Sequence, residues 1–327
     1  MSLEIMSKRC PETSANVLRM HTEPATRKRV LCATDLSPRC QRAVARAMLL
    51  ANQLDAQLTL LHVLDPSQGA DSAISMRQEL AQQLSSTGLP VRPDIRIQLR
   101  TGNYVEAIAA VAKESDADII VLGAQHRRPM ESPIGTTAER VIALAGQPAL
   151  IVNLNPRVRY GAVVIAAELS DAFTRVVRIA SSLKFLEAQS VSVVHGFASS
   201  YQGHLYAGGF DVRAAQRNLE AWERAARAKL LRSLEDAGVE SSRFRIILQQ
   251  ARPLRAIQRV VRSVQPDLLI VGTKDRSIFS RAVRGNVAND ALRNIECDIL
   301  VASQESEVGS VLHRSSPGVT NENIVRH

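Results

Sequence analysis

The 327-residue chain alternates short, continuously apolar runs with longer stretches of helical periodicity. Val30–Thr34 is a β-branched and apolar run, and behind it Val44, Ala47, Met48, Ala51 and Leu54 fall at i, i+3, i+4, i+7 spacing, the stripe of an amphipathic helix. The pattern then predicts a strand at Leu58–Val63, a helix near Ser72–Ser85 and a strand at Ile95–Leu99. A helix at Tyr104–Glu114, a strand at Asp118–Leu122, a helix at Thr136–Ala145 and a strand at Ala149–Asn153 complete the unit. Strands apolar on both faces are those of a parallel sheet covered by helices on either side. The unit is therefore a doubly wound α/β domain, with right-handed crossovers.

The same pattern occurs twice. VLCATDLS, ending in Asp35-Leu36-Ser37, returns as VVIAAELS, ending in Glu168-Leu169-Ser170, and LTLLHVL with His62 returns as VSVVHGF with His195, both at an offset of 133. GNYVEAIAAVAKESDADIIVLGA matches ARPLRAIQRVVRSVQPDLLIVGT at 149, and GTTAERVIALAGQPALIV matches GNVANDALRNIECDILVA at 150. Four blocks in one order establish an internal duplication. The helical stripe of the second copy is Val176, Ile179, Ala180, Leu183 and Leu186. The growth in offset places an insertion rich in Gly and Tyr around Ser199–Asp211. The expected organisation is a polar, disordered tail at 1–27, a first domain at 28–154, a second at 157–303 and a second disordered tail at 304–327. The Asn155-Pro156-Arg157 linker is too short for free movement of the two domains.

Composition narrows the functional classes. A 45% hydrophobic and 22% charged chain is an ordinary globular one, and no apolar run reaches the ~18 residues of a membrane span. The N-terminus lacks the apolar stretch of a secretory signal. The four cysteines, Cys10, Cys32, Cys40 and Cys297, form no CxxC pair, which fits a reducing cytoplasm and argues against a zinc cage. The net charge of +9 is concentrated in residues 155–303, with 22 basic against 14 acidic side chains, while residues 28–154 carry 13 against 12. Those arginines alternate with Glu220, Glu223, Glu235 and Asp236, and aromatics are 3% of the chain. This reads as a solvated helical face and disfavours nucleic acid.

Ligands of doubly wound sheets bind at the carboxyl ends of the strands. Two segments of the first copy end there: Thr34-Asp35-Leu36-Ser37, and Gly123 through Thr137. Gly135, Thr136 and Thr137 at a helix N-terminus would offer N–H groups and hydroxyls to a phosphate, and Gly123 would allow close backbone approach. Asp35 could accept from a ribose hydroxyl or an adenine amine, or hold magnesium. Each has a plainer reading: Asp35 as the cap of a helix beginning near Ser37 or Pro38, Gly135-Thr136 as a turn and N-cap, His62 and His195 as hydrogen-bonded structural histidines, Arg127 and Arg128 as solvated loop residues.

Both copies resemble universal stress protein domains of the UspA type, and the whole chain resembles the tandem form. ATDLS, LLHVL, the Asp118–Gly123 strand and Gly135-Thr136 carry the likeness in copy one; Pro266–Gly272 and Gly285–Ala288 carry it in copy two. The resemblance implies the adenine nucleotide alpha hydrolase-like fold, five parallel strands per domain, and a cytoplasmic role in stress response. The ATP-binding members carry G-x2-G-x9-G-[ST]. Copy one keeps Gly123, Gly135 and Thr136, has His126 for the second glycine, and is one residue short; copy two has Asp275 and Asn286 at motif positions and Glu168 in place of Asp35. The family also has members that do not bind ATP, and the resemblance leaves copy one open between an ATP site, with magnesium, and no nucleotide site. Thr34, Asp35 and the backbone at Val63 would meet adenosine, Gly123, Gln125 and His126 the phosphate loop, and Gly135, Thr136 and Thr137 the helix end. Copy two is expected to be degenerate. With no Walker loop, assigned base or arginine finger, turnover is expected to be slow at most. The alternatives are a nucleotide-free scaffold, acting as a homo-oligomer or on a protein partner through the Ser199–Asp211 insertion, and a carrier of small apolar molecules.

Overall fold

A computed structural model describes residues 27–67, 72–90, 94–124, 136–156, 158–197, 212–273 and 287–302. In the first half, β1 (Arg29–Ala33), α1 (Pro38–Leu54), β2 (Gln57–Leu64), α2 (Ser72–Ser85), β3 (Ile95–Thr101), α3 (Tyr104–Glu114), β4 (Ile119–Gly123), α4 (Thr137–Ala145) and β5 (Ala149–Val152) follow in the order the periodicity predicts. The second half runs β6 (Ala162–Ala166), α5 (Asp171–Ser182), β7 (Ser190–Phe197), α6 (Val212–Asp236), β8 (Phe244–Gln250), α7 (Pro253–Val264), β9 (Leu268–Gly272), α8 (Val287–Asn294) and β10 (Asp298–Ala302).

The helical stripes face inward as their spacing requires: Val44, Ala47, Met48 and Ala51 are fully buried in α1, and Val176 and Ala180 are buried in α5. Strand boundaries shift where a side chain takes over a backbone role. Asp118 precedes β4 because its carboxylate accepts the Arg29 N–H at 2.8 Å, and Asp267 repeats this device on Gly161 (2.7 Å) and Ala162 (3.0 Å) at the start of β6. Helix α6 is 25 residues long. It buries Ala226, Leu230 and Leu234, four residues apart along one face, while Arg213, Arg217, Glu220, Arg224 and Arg227 are exposed, as expected of a solvated helix.

The two five-stranded sheets form one ten-stranded sheet, ordered β3-β2-β1-β4-β5-β10-β9-β6-β7-β8. All pairs within each half are parallel, while β5 and β10 pair antiparallel through Ile151↔Ile299, Leu150↔Leu300 and Ala149↔Val301. This pairing removes one exposed edge from each domain and relates the halves by an approximate two-fold rotation. The junction is held beyond the ladder. Asp298, fully buried, accepts the N–H groups of Asn153 (2.8 Å) and Leu154 (2.9 Å) and the Tyr160 hydroxyl (2.6 Å). Buried Arg46 of α1 lies 3.4 Å from the same carboxylate, donates to the Val158 carbonyl and stacks over the Tyr160 ring at 3.9 Å. The residues on either side of the linker are thereby tied to both domains. The Ser199–Asp211 insertion lies outside the described residues.

Candidate functional site

In each half the strand order reverses at one place, between β1 and β4 and between β6 and β9. Connections leave such a point in opposite directions, which opens a crevice at the strands' carboxyl ends. Asp35 and Gly123 flank the first crevice, and Glu168 and Gly272 flank the second.

The turn after β1 is built by its own side chains. The Thr34 hydroxyl donates to Gln83 Oε1 (2.9 Å) and accepts the Leu36 N–H (3.0 Å), holding Leu36 at a left-handed φ of 63°. Asp35 Oδ1 accepts the Ser37 N–H at 2.9 Å, and Ser37, rather than Asp35, caps α1 by accepting the Cys40 N–H. Partial burial pushes the Asp35 carboxyl up, but hydrogen bonds from the Cys40 thiol and from the Ser37 hydroxyl and amide outweigh it and hold the group below the usual range. Its charge is therefore retained at neutral pH. Burial, reinforced by Asp35, raises the Cys40 thiol to about 11. A Cβ on Gly123 would lie 3.1 Å from Cys40 Sγ, so this glycine lets the end of β4 close onto α1.

Val63 is buried one residue before the end of β2. The neighbouring His62 ring pairs through Nδ1 with the Thr34 carbonyl at 2.8 Å, and His195 does the same to the Ala167 carbonyl at 2.9 Å. The repeated histidines thus brace adjacent strand ends, the structural one of their two readings. Thr136 is the N-cap of α4, inside a capping box: its hydroxyl accepts the Glu139 N–H (3.2 Å), and Glu139 accepts the Thr136 N–H (2.7 Å). The buried Glu139 carboxylate also receives Arg293 of α8 at 3.1 Å. The second domain therefore contributes a cation beside the end of α4. The Thr-x-x-Glu spacing was the signal for the box; Arg293 gave none. Thr137 is the first residue of α4. Thr34, Asp35, Val63, Gly123, Thr136 and Thr137 are thus placed at the carboxyl side of one sheet half, whereas Gln125, His126, Gly135, Arg127 and Arg128 lie outside the described residues.

These observations define a tandem pair of doubly wound α/β domains, each with a strand-end crevice at its switch point. The sequence model of the universal stress protein family matches residues 26–153 and again 159–303, and the chain belongs to that family. It is 26% identical over 137 residues to the "Universal stress protein A homolog 1" of Coxiella burnetii, a match covering 38% of this chain and 95% of the relative. A universal stress protein from Archaeoglobus fulgidus superposes with a TM-score of 0.57 at 14% identity, covering 84% of this chain and 98% of the other. A putative universal stress protein from Pseudomonas aeruginosa gives 0.56 at 17% identity, covering 85% and 93%. Among the described residues, no helix is long and apolar enough to cross a membrane.

Proposed function

We infer that this tandem universal stress protein is a cytoplasmic stress-response protein whose first domain binds ATP, with magnesium, as a regulatory ligand, and whose second domain does not. The observation that supports this most is the exposed Asp35 carboxylate just after the carboxyl end of β1, beside the β1/β4 switch point. A carboxylate there can accept from a ribose or an adenine amine, and a cap hydroxyl and helix N-terminus at Thr136 lie after the same β4 strand. Among the described residues the Thr136 hydroxyl accepts one bond within its box and donates none. The second domain has Glu168 for Asp35, Asn286 for Thr136 and Val287 for Thr137, which removes the two hydroxyls of the helix end and displaces the carboxylate by one methylene; the Thr34 hydroxyl, turned inward to Gln83, is no ligand group in the first domain.

Calorimetric titration of Asp35→Ala and Thr136→Val with magnesium and ATP tests the reading. Both should weaken binding by at least about tenfold, roughly 1.4 kcal/mol, while Glu168→Ala leaves it unchanged. Unaltered affinity in Asp35→Ala would remove the site from the first domain.

A further inference from the structure

The switch point of the second domain holds a cavity of about 300 Å³ between the carboxyl ends of β6, β7 and β9 and helices α5, α7 and α8. Its walls are apolar, formed chiefly by Ala167, Phe173, Val194, Ile257, Val271 and Val287. Two glycines build it. A Cβ on Gly196 would fall 2.7 Å from Ala256 Cβ and 2.9 Å from Pro253 Cα, so only glycine lets α7 close against β7; a Cβ on Gly272 would fall 2.8 Å from Val176 Cγ2. The first domain has Val63 where Gly196 stands.

The repeat also exchanges the chemistry of the crevice. Thr34, Cys40 and Thr137 of the first copy correspond to Ala167, Phe173 and Val287. Glu168 is exposed at the edge of the same cavity, so its carboxylate lies outside the apolar interior. His195 supplies a polar group on the β7 wall; with Nδ1 directed at the Ala167 carbonyl, the neutral ring carries its proton there and leaves Nε2 as an acceptor. A cavity of ~150 Å³ suffices for benzene, so this one has the size for about two fused rings.

We propose that the second domain binds a compact, uncharged, aromatic-sized molecule of about two rings carrying one N–H or O–H donor, in place of a nucleotide. The inference stands whether or not the first domain binds ATP. Indole is the probe. Trp222, the single tryptophan, stacks on His195 at 6.0 Å between ring centroids, so its side-chain N–H resonance reports on the cavity wall in ¹⁵N-labelled protein.

Titration with indole should shift that resonance saturably with one site per chain, and excess ATP should not reverse the shift. Ala167→Leu, which fills the cavity from the strand end, and Val287→Trp, which fills it from the α8 end, should each weaken binding at least tenfold with the melting temperature retained. The pair covers the case in which one substitution disturbs folding. Absence of saturable binding to the wild-type chain would overturn the proposal. So would affinity unchanged in folded variants, or displacement of indole by ATP.

Discussion

Removing the Asp298 carboxylate should loosen the junction between the domains, and the structure gives the size of the effect. Asp298→Ala leaves three donors without an acceptor: the half-buried amides of Asn153 and Leu154 and the buried Tyr160 hydroxyl. An unsatisfied buried donor costs about 1–3 kcal/mol. Taking about 1 for each half-buried amide and about 2 for the hydroxyl gives about 4 kcal/mol, within the ~3–5 found when one partner of a buried ion pair is lost. At about 2–4 °C per kcal/mol for a chain of this class, the melting temperature should fall by about 8–16 °C. Asp298→Asn keeps an acceptor for the two amides but, like Ala, removes the counter-charge of buried Arg46, so its cost should be lower than that of Ala by the two amides, about 2 kcal/mol. Urea unfolding followed by circular dichroism measures both, and amide exchange at Asn153 and Leu154 reports the local opening. Equal costs for Ala and Asn, or a cost below about 1 kcal/mol for Ala, would show that the Asp298 carboxylate does not hold the junction.

Three further outcomes are expected. Because the folded-state pKa of Asp298 is raised, its contribution is fully present below the unfolded value near ~3.9 and is lost as pH rises through the folded value. The stability gap between wild type and Asp298→Asn should therefore narrow as pH climbs above about 4, and a widening gap in urea titrations would contradict the sign. Gly196→Ala should cost about 1–3 kcal/mol by overpacking against Ala256 and Pro253, read from the urea midpoint; a neutral effect would show that α7 can withdraw. Cys40, with its thiol at about 11, is ~0.1% thiolate at pH 8, against about a quarter for an ordinary cysteine. Site-resolved mass spectrometry should find it alkylated by iodoacetamide some ~200-fold more slowly than an unperturbed thiol, and Asp35→Asn should speed it.

The fold was legible because its signals are local and occur twice. The apolar stripes of α1 and α5 and the continuously apolar strands each fix an element, and their recurrence fixes the duplication. The joining of the two sheets was not legible, since an antiparallel β5–β10 pair leaves no periodicity in either strand that differs from a parallel one. Asp298 was nevertheless visible as a charge opening the apolar run Asp298–Ala302, where the first copy has Pro148. Its partners Arg46 and Tyr160 are 252 and 138 residues away and carry no motif. At the candidate site, sequence placed Asp35, Gly123 and Thr136 at strand and helix ends. It could not show that the Thr34 hydroxyl turns inward to Gln83, or that Arg293 of the other domain reaches Glu139. Both depend on tertiary packing. The apolar cavity of the second domain was half legible: the exchanges at Ala167, Phe173 and Val287 are in the alignment of the copies, but the closure at Gly196 needs coordinates.

We propose that the duplicated crevices have diverged, one suited to a nucleotide and the other not. The most direct test is the stoichiometry of ATP binding to the wild-type chain by calorimetry with magnesium, an aliquot having first been denatured to release any nucleotide carried through purification. One site per chain is the predicted result. Two equivalent sites, or no heat, no released nucleotide and no shift in melting temperature, would contradict it.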